Sequence, residues 1–179
     1  MEHKGTIELQ TERLILRQVT ERDTLPAFKN WCNDERVTKY LTWQPHGDVG
    51  VTKAVIDEWI KGYSKNNFYQ WVIVPKDIDE PIGTISVVRV NEEKEQLDMG
   101  YCIGYKWWHQ GYTSEALKRV IDFLFEAVKP KKIVACHATV NPNSGKVMQK
   151  AGMQYERTMV GAGSCNIGQI DVVVYSIEK

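Results

Sequence analysis

The stretch Met99–Leu117, MGYCIGYKWWHQGYTSEAL, contains the pattern that decides the fold. A strand-like apolar segment runs into a group of aromatic residues, then into the bare glycine Gly111, and then into a helix predicted over Tyr112–Val128. One face of that helix is apolar, with residues recurring at i, i+3 and i+4: Ala116, Leu117, Val120, Ile121, Leu124, Phe125 and Val128. The stretch therefore predicts a strand that turns sharply into an amphipathic helix.

The turn at Gly111 has two interpretations. The N-terminus of a helix presents unpaired N–H groups and a partial positive charge, so it can bind a phosphate without a basic side chain. A glycine there lets a ligand approach the backbone, and the hydroxyls of Thr113 and Ser114 can cap the helix or donate to an anion. A glycine in a strand-to-helix turn is also common as a purely structural element. The local pattern leaves both interpretations open.

The segments around this unit extend it into a mixed α/β domain. Strands are predicted at Arg13–Val19, Phe68–Val74 and Ile82–Val90. Helices are predicted between the first and second of these strands, and short turns follow the second and third. Downstream, KKIVACHATV is a buried strand, NPNSGKVMQKAGM a short helix, and the last two strands are joined by a predicted loop, GAGSCNIG. Short turns imply hairpins, and the helical crossover implies a parallel pair. Helices should cover both faces of this sheet.

Composition excludes several classes of protein. The 179 residues suggest one domain spanning 1–179. The 23 basic residues balance 23 acidic ones, and this lack of a basic excess argues against a nucleic-acid partner. No apolar run approaches the length of about 20 residues that a membrane span needs, and the first residues lack the apolar core of a secretory signal. We therefore expect a cytoplasmic protein without a membrane partner. The cysteines and histidines are scattered and form no metal-binding motif.

Known nucleotide and nucleophile motifs are also missing from the chain. It has neither the P-loop GxxxxGK[ST] nor a GxGxxG after its first strand, and it has no GxSxG elbow. If the turn at Gly111 binds a phosphate, it does so in another kind of site.

Two segments together resemble the GNAT acyltransferase superfamily: MGYCIGYKWWHQGYTSEAL and, further on, ATVNPNSGKVMQKAGMQYE (Ala138–Glu156). They are most similar to its RimJ/RimL-like branch, the ribosomal-protein N-terminal acetyltransferases, of which the opening TERLILRQVTERD is also typical. The resemblance covers nearly the whole chain. It implies a GNAT-type, mostly antiparallel, seven-stranded sheet with a splayed central strand pair, and acetyl-CoA as the cofactor.

The resemblance also implies which residues hold the pyrophosphate of acetyl-CoA. In the family, backbone amides of a loop with the signature Q/R-x-x-G-x-G/A hold the pyrophosphate. In this chain the signature falls on Trp108, His109, Gln110, Gly111, Tyr112 and Thr113, with Ser114 following. Thr113 replaces a small residue, so its side chain would crowd the third amide or donate its hydroxyl. Gln110 replaces a residue that is often basic in relatives, so the loop would depend more on its amides and bind acetyl-CoA more weakly.

The resemblance also implies which residues contact the pantetheine arm and the leaving thiolate of acetyl-CoA. The strand around Tyr101, Cys102 and Ile103 matches the strand whose free backbone groups pair with pantetheine. Asn141 matches a residue that hydrogen-bonds pantetheine, and Ser144 matches a hydroxyl near the thioester sulfur. Met148 stands where many relatives have a tyrosine acid, which shifts that role to Ser144. Taken alone, Ser144 can equally be the N-cap of its helix.

The base that accepts the amine proton is less defined. An α-amine with a pKa of about 7.7–8.0 is partly neutral at physiological pH, whereas a lysine amine near about 10.4 needs a real base. Asp98, in the strand before the loop, is the first candidate for that base, and an exposed strand residue is the alternative reading. His109 and His137 are further candidates.

Acceptor contacts are expected from the early helices and the late loop. Tyr40 and Trp43 are the predicted substrate-binding residues, whereas Trp31 fits a core residue better. The first functional hypothesis is acetyl transfer from acetyl-CoA to a protein N-terminal α-amine. The alternatives are transfer to a small amine (a polyamine, an amino acid or an antibiotic) and a sensor that binds acyl-CoA without turnover. Relatives are often dimers, so the resemblance allows a homodimer.

Overall fold

The computed structural model describes all residues from Met1 to Lys179 and builds them around one sheet. The eight strands are β1 (Leu9–Gln10), β2 (Leu14–Arg17), β3 (Gln70–Pro75), β4 (Gly83–Asn91), β5 (Gln96–Ile103), β6 (Lys132–Ala138), β7 (Gln154–Cys165) and β8 (Gly168–Glu178). The helices are α1 (Thr24–Ala27), α2 (Glu35–Thr38), α3 (Val49–Gly62), α4 (Tyr112–Phe123) and α5 (Pro142–Lys150). Five-residue π-helical segments, Phe28–Cys32 and Leu124–Val128, extend α1 and α4. None of the helices has the length and apolar character needed to cross a membrane.

The strands follow the order β1-β2-β3-β4-β5-β6-β8-β7. Every neighbouring pair is antiparallel except β5 and β6, which are parallel because α4 crosses over between them. The predicted mixed, mostly antiparallel α/β fold is confirmed. The sheet has one strand more than the predicted seven, because Leu9–Gln10 pairs with Ile15 and Leu16 at the edge.

Two apolar clusters on opposite faces hold the helices to the sheet. On one face α4 and α5 bury Leu117, Leu124 and Met148 against β-strand residues. On the other face Trp31, Val37 and Ile56, from the segments α1 to α3, pack against Val72 and Val74 of β3. This alternation arises because successive residues of a strand point to opposite faces. Trp31 is 1% exposed, which confirms the prediction that it is a core residue.

The central parallel pair separates halfway along its length. β5 and β6 pair from Gln96 with Lys132 up to Met99 with Ala135, and no residues beyond that point are paired. The remaining residues of β5 stay hydrogen-bonded to β4, and those of β6 stay paired with β8. The two strands therefore form a V that opens toward Ile103 and Ala138, which confirms the predicted splay.

The predicted loop GAGSCNIG is instead the end of a long hairpin. β7 continues to Cys165 and β8 starts at Gly168, so the turn itself is only Asn166–Ile167. Glycines in this segment suggest a loop, but Gly163 stays in the strand where a Cβ would lie only 2.6 Å from Val172. The hairpin extends past Val172, the residue that pairs with Ala138 at the end of β6.

Candidate active site

The N-terminus of α4 presents a row of unpaired backbone N–H groups. Gly111 is its N-cap with φ 84°, in the left-handed region that favours glycine. The first helical hydrogen bond runs from the N–H of Glu115 to the carbonyl of Gly111 at 3.1 Å, and no backbone partner is formed by the N–H of Gly111, Tyr112, Thr113 or Ser114. Four amides beside a helix dipole make a site that fits a phosphate group.

The aromatic loop before this turn is fixed from inside. Trp107 is buried, and the indole Nε1–H of Trp108 donates to the carbonyl of Ile103 at 2.8 Å. Gly104 is required here, because a Cβ would lie 2.3 Å from the carbonyl oxygen of Asn30. His109 is exposed, and its φ of 62° turns the loop back toward α4. Trp108 thus ties the end of β5 to the loop.

Side chains at the turn are mostly engaged within the protein. Tyr112 and Thr113 are both 8% exposed, and the hydroxyl of Ser114 donates back to the carbonyl of Gly111 at 2.9 Å. Gln110 is exposed, with its side-chain amide donating to the carbonyl of Lys106 at 2.9 Å. The contribution that Thr113 and Ser114 can make to an anion is therefore through their amides.

Arg13 supplies a cation to the turn that the sequence did not predict. Its guanidinium lies 4.5 Å from the centre of the Tyr112 ring and donates to the carbonyl of Gln110 at 3.1 Å. It also pairs with Glu115 at 2.6 Å. Burial opposes ionisation of Glu115, but hydrogen bonds from Thr11 and Arg13 outweigh it, so the pKa of this carboxyl is lowered. The guanidinium is thus a second group at the turn, besides the amides, with the chemistry to contact a phosphate.

We expect Arg13→Ala to raise the KM for acetyl-CoA about five-fold with little change in kcat, because a charge-assisted contact to a phosphate contributes on the order of 1 kcal/mol when partly exposed. The comparison variant is Arg119→Ala, which removes a guanidinium from the outer part of α4 that donates to the carbonyl of Gln10. Initial-rate kinetics at varied acetyl-CoA measure both. Equal KM values for the two variants would remove Arg13 from the site.

The widening V leaves backbone groups of β5 without partners. Gly104 donates its N–H to the carbonyl of Ile82, the residue just before β4. The antiparallel alternation therefore turns the N–H and C=O groups of Tyr101 and Ile103 away from β4 and toward β6. β6 does not pair with Tyr101 or Ile103 in this part of the sheet. The carbonyl of Ile103 accepts a hydrogen bond from the Trp108 indole instead. The groups left over suit an extended amide chain added as a further strand. Cys102 turns its backbone to β4 and its side chain toward the face of α1 to α3.

The start of α5 lies on the other arm of the V. Asn141 is the N-cap residue, yet its side-chain amide forms no capping hydrogen bond. Ser144 is the third residue of the helix and not its cap, which overturns the capping interpretation of Ser144. Met148 is 1% exposed and belongs to the core.

Ser144 and Tyr101 meet across the V. The Tyr101 Oη lies 2.9 Å from the Ser144 Oγ and 3.0 Å from the Ser144 carbonyl oxygen. Burial raises the pKa of the Tyr101 hydroxyl, with the hydrogen bond to Ser144 opposing that shift. A protonated tyrosine and a serine hydroxyl therefore stand together on the face of α4 and α5.

The predicted bases lie in different places. Asp98 alternates with the buried Leu97 and Met99, so its side chain is on the opposite face of the sheet from Ser144, and it accepts a hydrogen bond from Gln96 at 2.6 Å. His137 lies on the α5 side, with its Nδ1 2.7 Å from the carbonyl of Ala138. The structure does not bring His109, which is exposed on the loop, together with either residue.

The predicted acceptor residues lie on one rim that the hairpin closes. The side chain of Asn166 donates to the carbonyls of Thr38 and Trp43 at 2.9 Å and 2.8 Å, and its N–H donates to Leu41. Trp43 packs against the apolar cluster of α1 to α3, whereas Tyr40 is half-buried beside Lys39. The hairpin from one arm of the V thus reaches the loop that follows α2. The sequence predicts Tyr40 and Trp43 as acceptor contacts but gives no sign of the Asn166 contacts.

Known proteins agree with this geometry. The acetyltransferase (GNAT) domain family matches residues 13–154. Among curated proteins, the uncharacterized N-acetyltransferase YoaA of Bacillus subtilis is 31% identical over 171 residues, covering 96% of both chains. The ribosomal-protein-serine acetyltransferase of Escherichia coli is 24% identical over 93% of both. A solved structure of RimL, a ribosomal L7/L12 α-N-protein acetyltransferase in complex with coenzyme A, superposes with a TM-score of 0.85 at 17% identity, over 96% of this chain and 98% of that one.

The fold, the splayed strands and the open amides of α4 define a GNAT acetyltransferase, and this chain belongs to that family. It is an acetyl-CoA-dependent N-acetyltransferase of the same family as the ribosomal-protein enzymes.

Proposed function

We propose that this enzyme transfers an acetyl group to the α-amine at the N-terminus of a protein or peptide. The amides of α4, Arg13, the free backbone of β5 and Asn141 would hold acetyl-CoA, which supplies the thioester. The ribosomal-protein names among its relatives support a protein acceptor. The choice between an α-amine and a lysine amine as acceptor depends on whether the site contains a group that can accept the amine proton.

The observation that carries the proposal is that the tyrosine hydroxyl and the thiols on the two strands of the V keep their protons. Burial raises the pKa of Tyr101, Cys102 and Cys136, so all three stay protonated at neutral pH and cannot accept the amine proton. Asp98 is the one carboxylate on β5, and its side chain lies on the sheet face opposite Ser144. A site of this kind suits an amine that is already partly neutral, which is an α-amine rather than a lysine.

Two acidic turns, KDIDEP (Lys76–Pro81) and NEEKEQ (Asn91–Gln96), give little support to a polycationic acceptor. Glu95 pairs with Lys131, and Glu92 pairs with His3 at 2.6 Å. On the other turn, Glu80 accepts a hydrogen bond from Asn30 at 2.5 Å. These contacts occupy three of the six carboxylates in the two turns, which reduces the charge that they offer to a polyamine.

The test is an acceptor panel with acetyl-CoA, in which release of free thiol is followed. The panel contains N-terminal peptides, polyamines, amino acids and aminoglycosides at equal concentration. We expect thiol release with peptides that have a free α-amine. Release with a small amine alone would favour that alternative, and tight acetyl-CoA binding without release in any reaction would favour a sensor.

Asp98→Asn should separate the roles of base and structure. We expect kcat/KM for a peptide α-amine to fall about ten-fold at pH 7 and to recover above about pH 8.5, because most of the α-amine is then neutral without help. A pH–rate profile from pH 6.5 to pH 9.5 measures this recovery. An equal loss at every pH would mean that Asp98 supports the strand and does not accept the proton.

A further inference from the structure

Two serines of this protein occupy the same position in two different helices. Ser114 is the third residue of α4, after the N-cap Gly111, and Ser144 is the third residue of α5, after the N-cap Asn141. The hydroxyl of Ser114 donates back to the N-cap carbonyl at 2.9 Å, which is the local bond that a serine near a helix start commonly forms. Ser144 does not form the matching bond. The Asn141 carbonyl accepts the N–H of Ser144 at 3.2 Å, while the Ser144 Oγ is at Tyr101.

We propose that Tyr101 is a positioning residue for Ser144: its hydroxyl holds the serine hydroxyl away from its own helix and toward the opening between β5 and β6. The proposal rests on the proposed function, in which Ser144 stabilises the leaving thiolate. It adds a side-chain role to a residue whose backbone already faces that opening. Tyr101 would serve both through its N–H and C=O groups and through its hydroxyl.

Counting protons shows how this pair would act. The Tyr101 hydroxyl has one proton and two acceptors, the Ser144 carbonyl at 3.0 Å and the Ser144 Oγ at 2.9 Å. When Tyr101 donates to the carbonyl, the proton between the two hydroxyls belongs to Ser144, and Ser144 has nothing left to donate. When Tyr101 donates to Oγ, the Ser144 hydroxyl is free to donate to a sulfur. Only the second arrangement supports the leaving thiolate.

Burial keeps the proton of Tyr101 in place. The pKa of its hydroxyl is raised by burial, so it stays a neutral donor across the pH range in which an α-amine reacts. A donor bonded to Oγ also polarises the Ser144 O–H bond and strengthens the hydrogen bond that Ser144 can donate in turn.

Tyr101→Phe removes the hydroxyl and keeps the ring. We expect kcat to fall about 20-fold, which is less than the full loss of about 10²-fold that removal of a positioned acid can cause, and we expect the KM for acetyl-CoA to stay within about two-fold. The control is Tyr63→Phe, which removes a partly buried hydroxyl that accepts from the N–H of Val19 and donates to the carbonyl of Gln70, away from the V. Thermal unfolding of both variants separates a folding defect from a kinetic one. An unchanged kcat in Tyr101→Phe would overturn the proposal.

A double-mutant cycle tests whether Tyr101 acts through Ser144. If it does, Tyr101→Phe should have almost no further effect on kcat in a Ser144→Ala background. Multiplying effects would show that Tyr101 acts independently and would contradict the proposal.

A crystal structure of Tyr101→Phe gives a readout that does not depend on any acceptor. We expect the Ser144 hydroxyl to turn back to the Asn141 carbonyl, as the Ser114 hydroxyl does toward Gly111. A Ser144 side chain that keeps its orientation would overturn the proposal even if the enzyme is active. If the wild-type enzyme transfers no acetyl group to any amine, the proposed function fails, and this structural result still decides whether Tyr101 positions Ser144.

Discussion

Ser144→Ala should lower kcat about 100-fold while the affinity for acetyl-CoA stays within about two-fold, because a positioned donor that acts on the leaving group contributes to the transition state alone. The serine hydroxyl stands at the opening of the V beside Tyr101. Met148, at the position where the resemblance implies a tyrosine in many relatives, is buried and has no proton to give. Isothermal titration with acetyl-CoA and initial-rate kinetics give the two quantities.

Ser64→Ala is the matched control for that variant. Its hydroxyl also lies at a helix end and donates to a carbonyl of its own helix, Lys61, at 2.9 Å, but it is far along the chain from both arms of the V. We expect its kcat to equal that of the wild type. If Ser144→Ala keeps more than half of the wild-type kcat, the leaving thiolate needs no help from Ser144.

Gly111→Ala should weaken acetyl-CoA binding about 20-fold, since a left-handed conformation costs an L-residue about 1–2 kcal/mol and about 1.4 kcal/mol is a factor of ten in affinity. Gly111 has φ 84°, and a Cβ there would lie 3.3 Å from the Arg13 guanidinium. An alanine would relax the turn and disperse the four amides, so binding would have to restore the strained turn. Calorimetric titration with acetyl-CoA measures the loss.

Gly152→Ala controls for backbone strain alone. Gly152 has φ 92° at the end of α5, and the nearest atom to its Cβ would be in ordinary contact at 3.9 Å. We expect Gly152→Ala to lower the unfolding temperature about as much as Gly111→Ala does but to leave acetyl-CoA binding unchanged. Equal weakening of binding by the two variants would contradict a specific role for the α4 turn.

Most of the fold could be predicted because its signals are local. The helical spacing from Ala116 to Val128 and the short turns between β3, β4 and β5 appear within a few residues of each other. β1 was missed because two residues show no periodicity, and only pairing with β2 makes them a strand. The glycines of GAGSCNIG suggest a loop, whereas the structure uses Gly163 for close packing against Val172 inside the hairpin.

Parts of the candidate site depend on contacts that no local pattern encodes. Arg13 lies 102 positions from Glu115, and Tyr101 lies 43 positions from Ser144, so their pairing appears only once the sheet is assembled. Asn166 reaches the carbonyl of Trp43 across 123 positions for the same reason. The resemblance named the backbone of Tyr101 but not its hydroxyl. The cytoplasmic location and the homodimer stay predictions.

The central claim, acetyl transfer to an α-amine through this V, is tested most directly by locating the acetyl group on a product. One peptide carries a free N-terminus and an internal lysine, and its matched control has the same sequence with a blocked N-terminus. After incubation with acetyl-CoA, fragmentation mass spectrometry assigns the modified nitrogen. We predict one acetyl group on the α-amine of the first peptide and none on the second. Acetylation of the lysine in both peptides, or transfer to neither, would contradict the account.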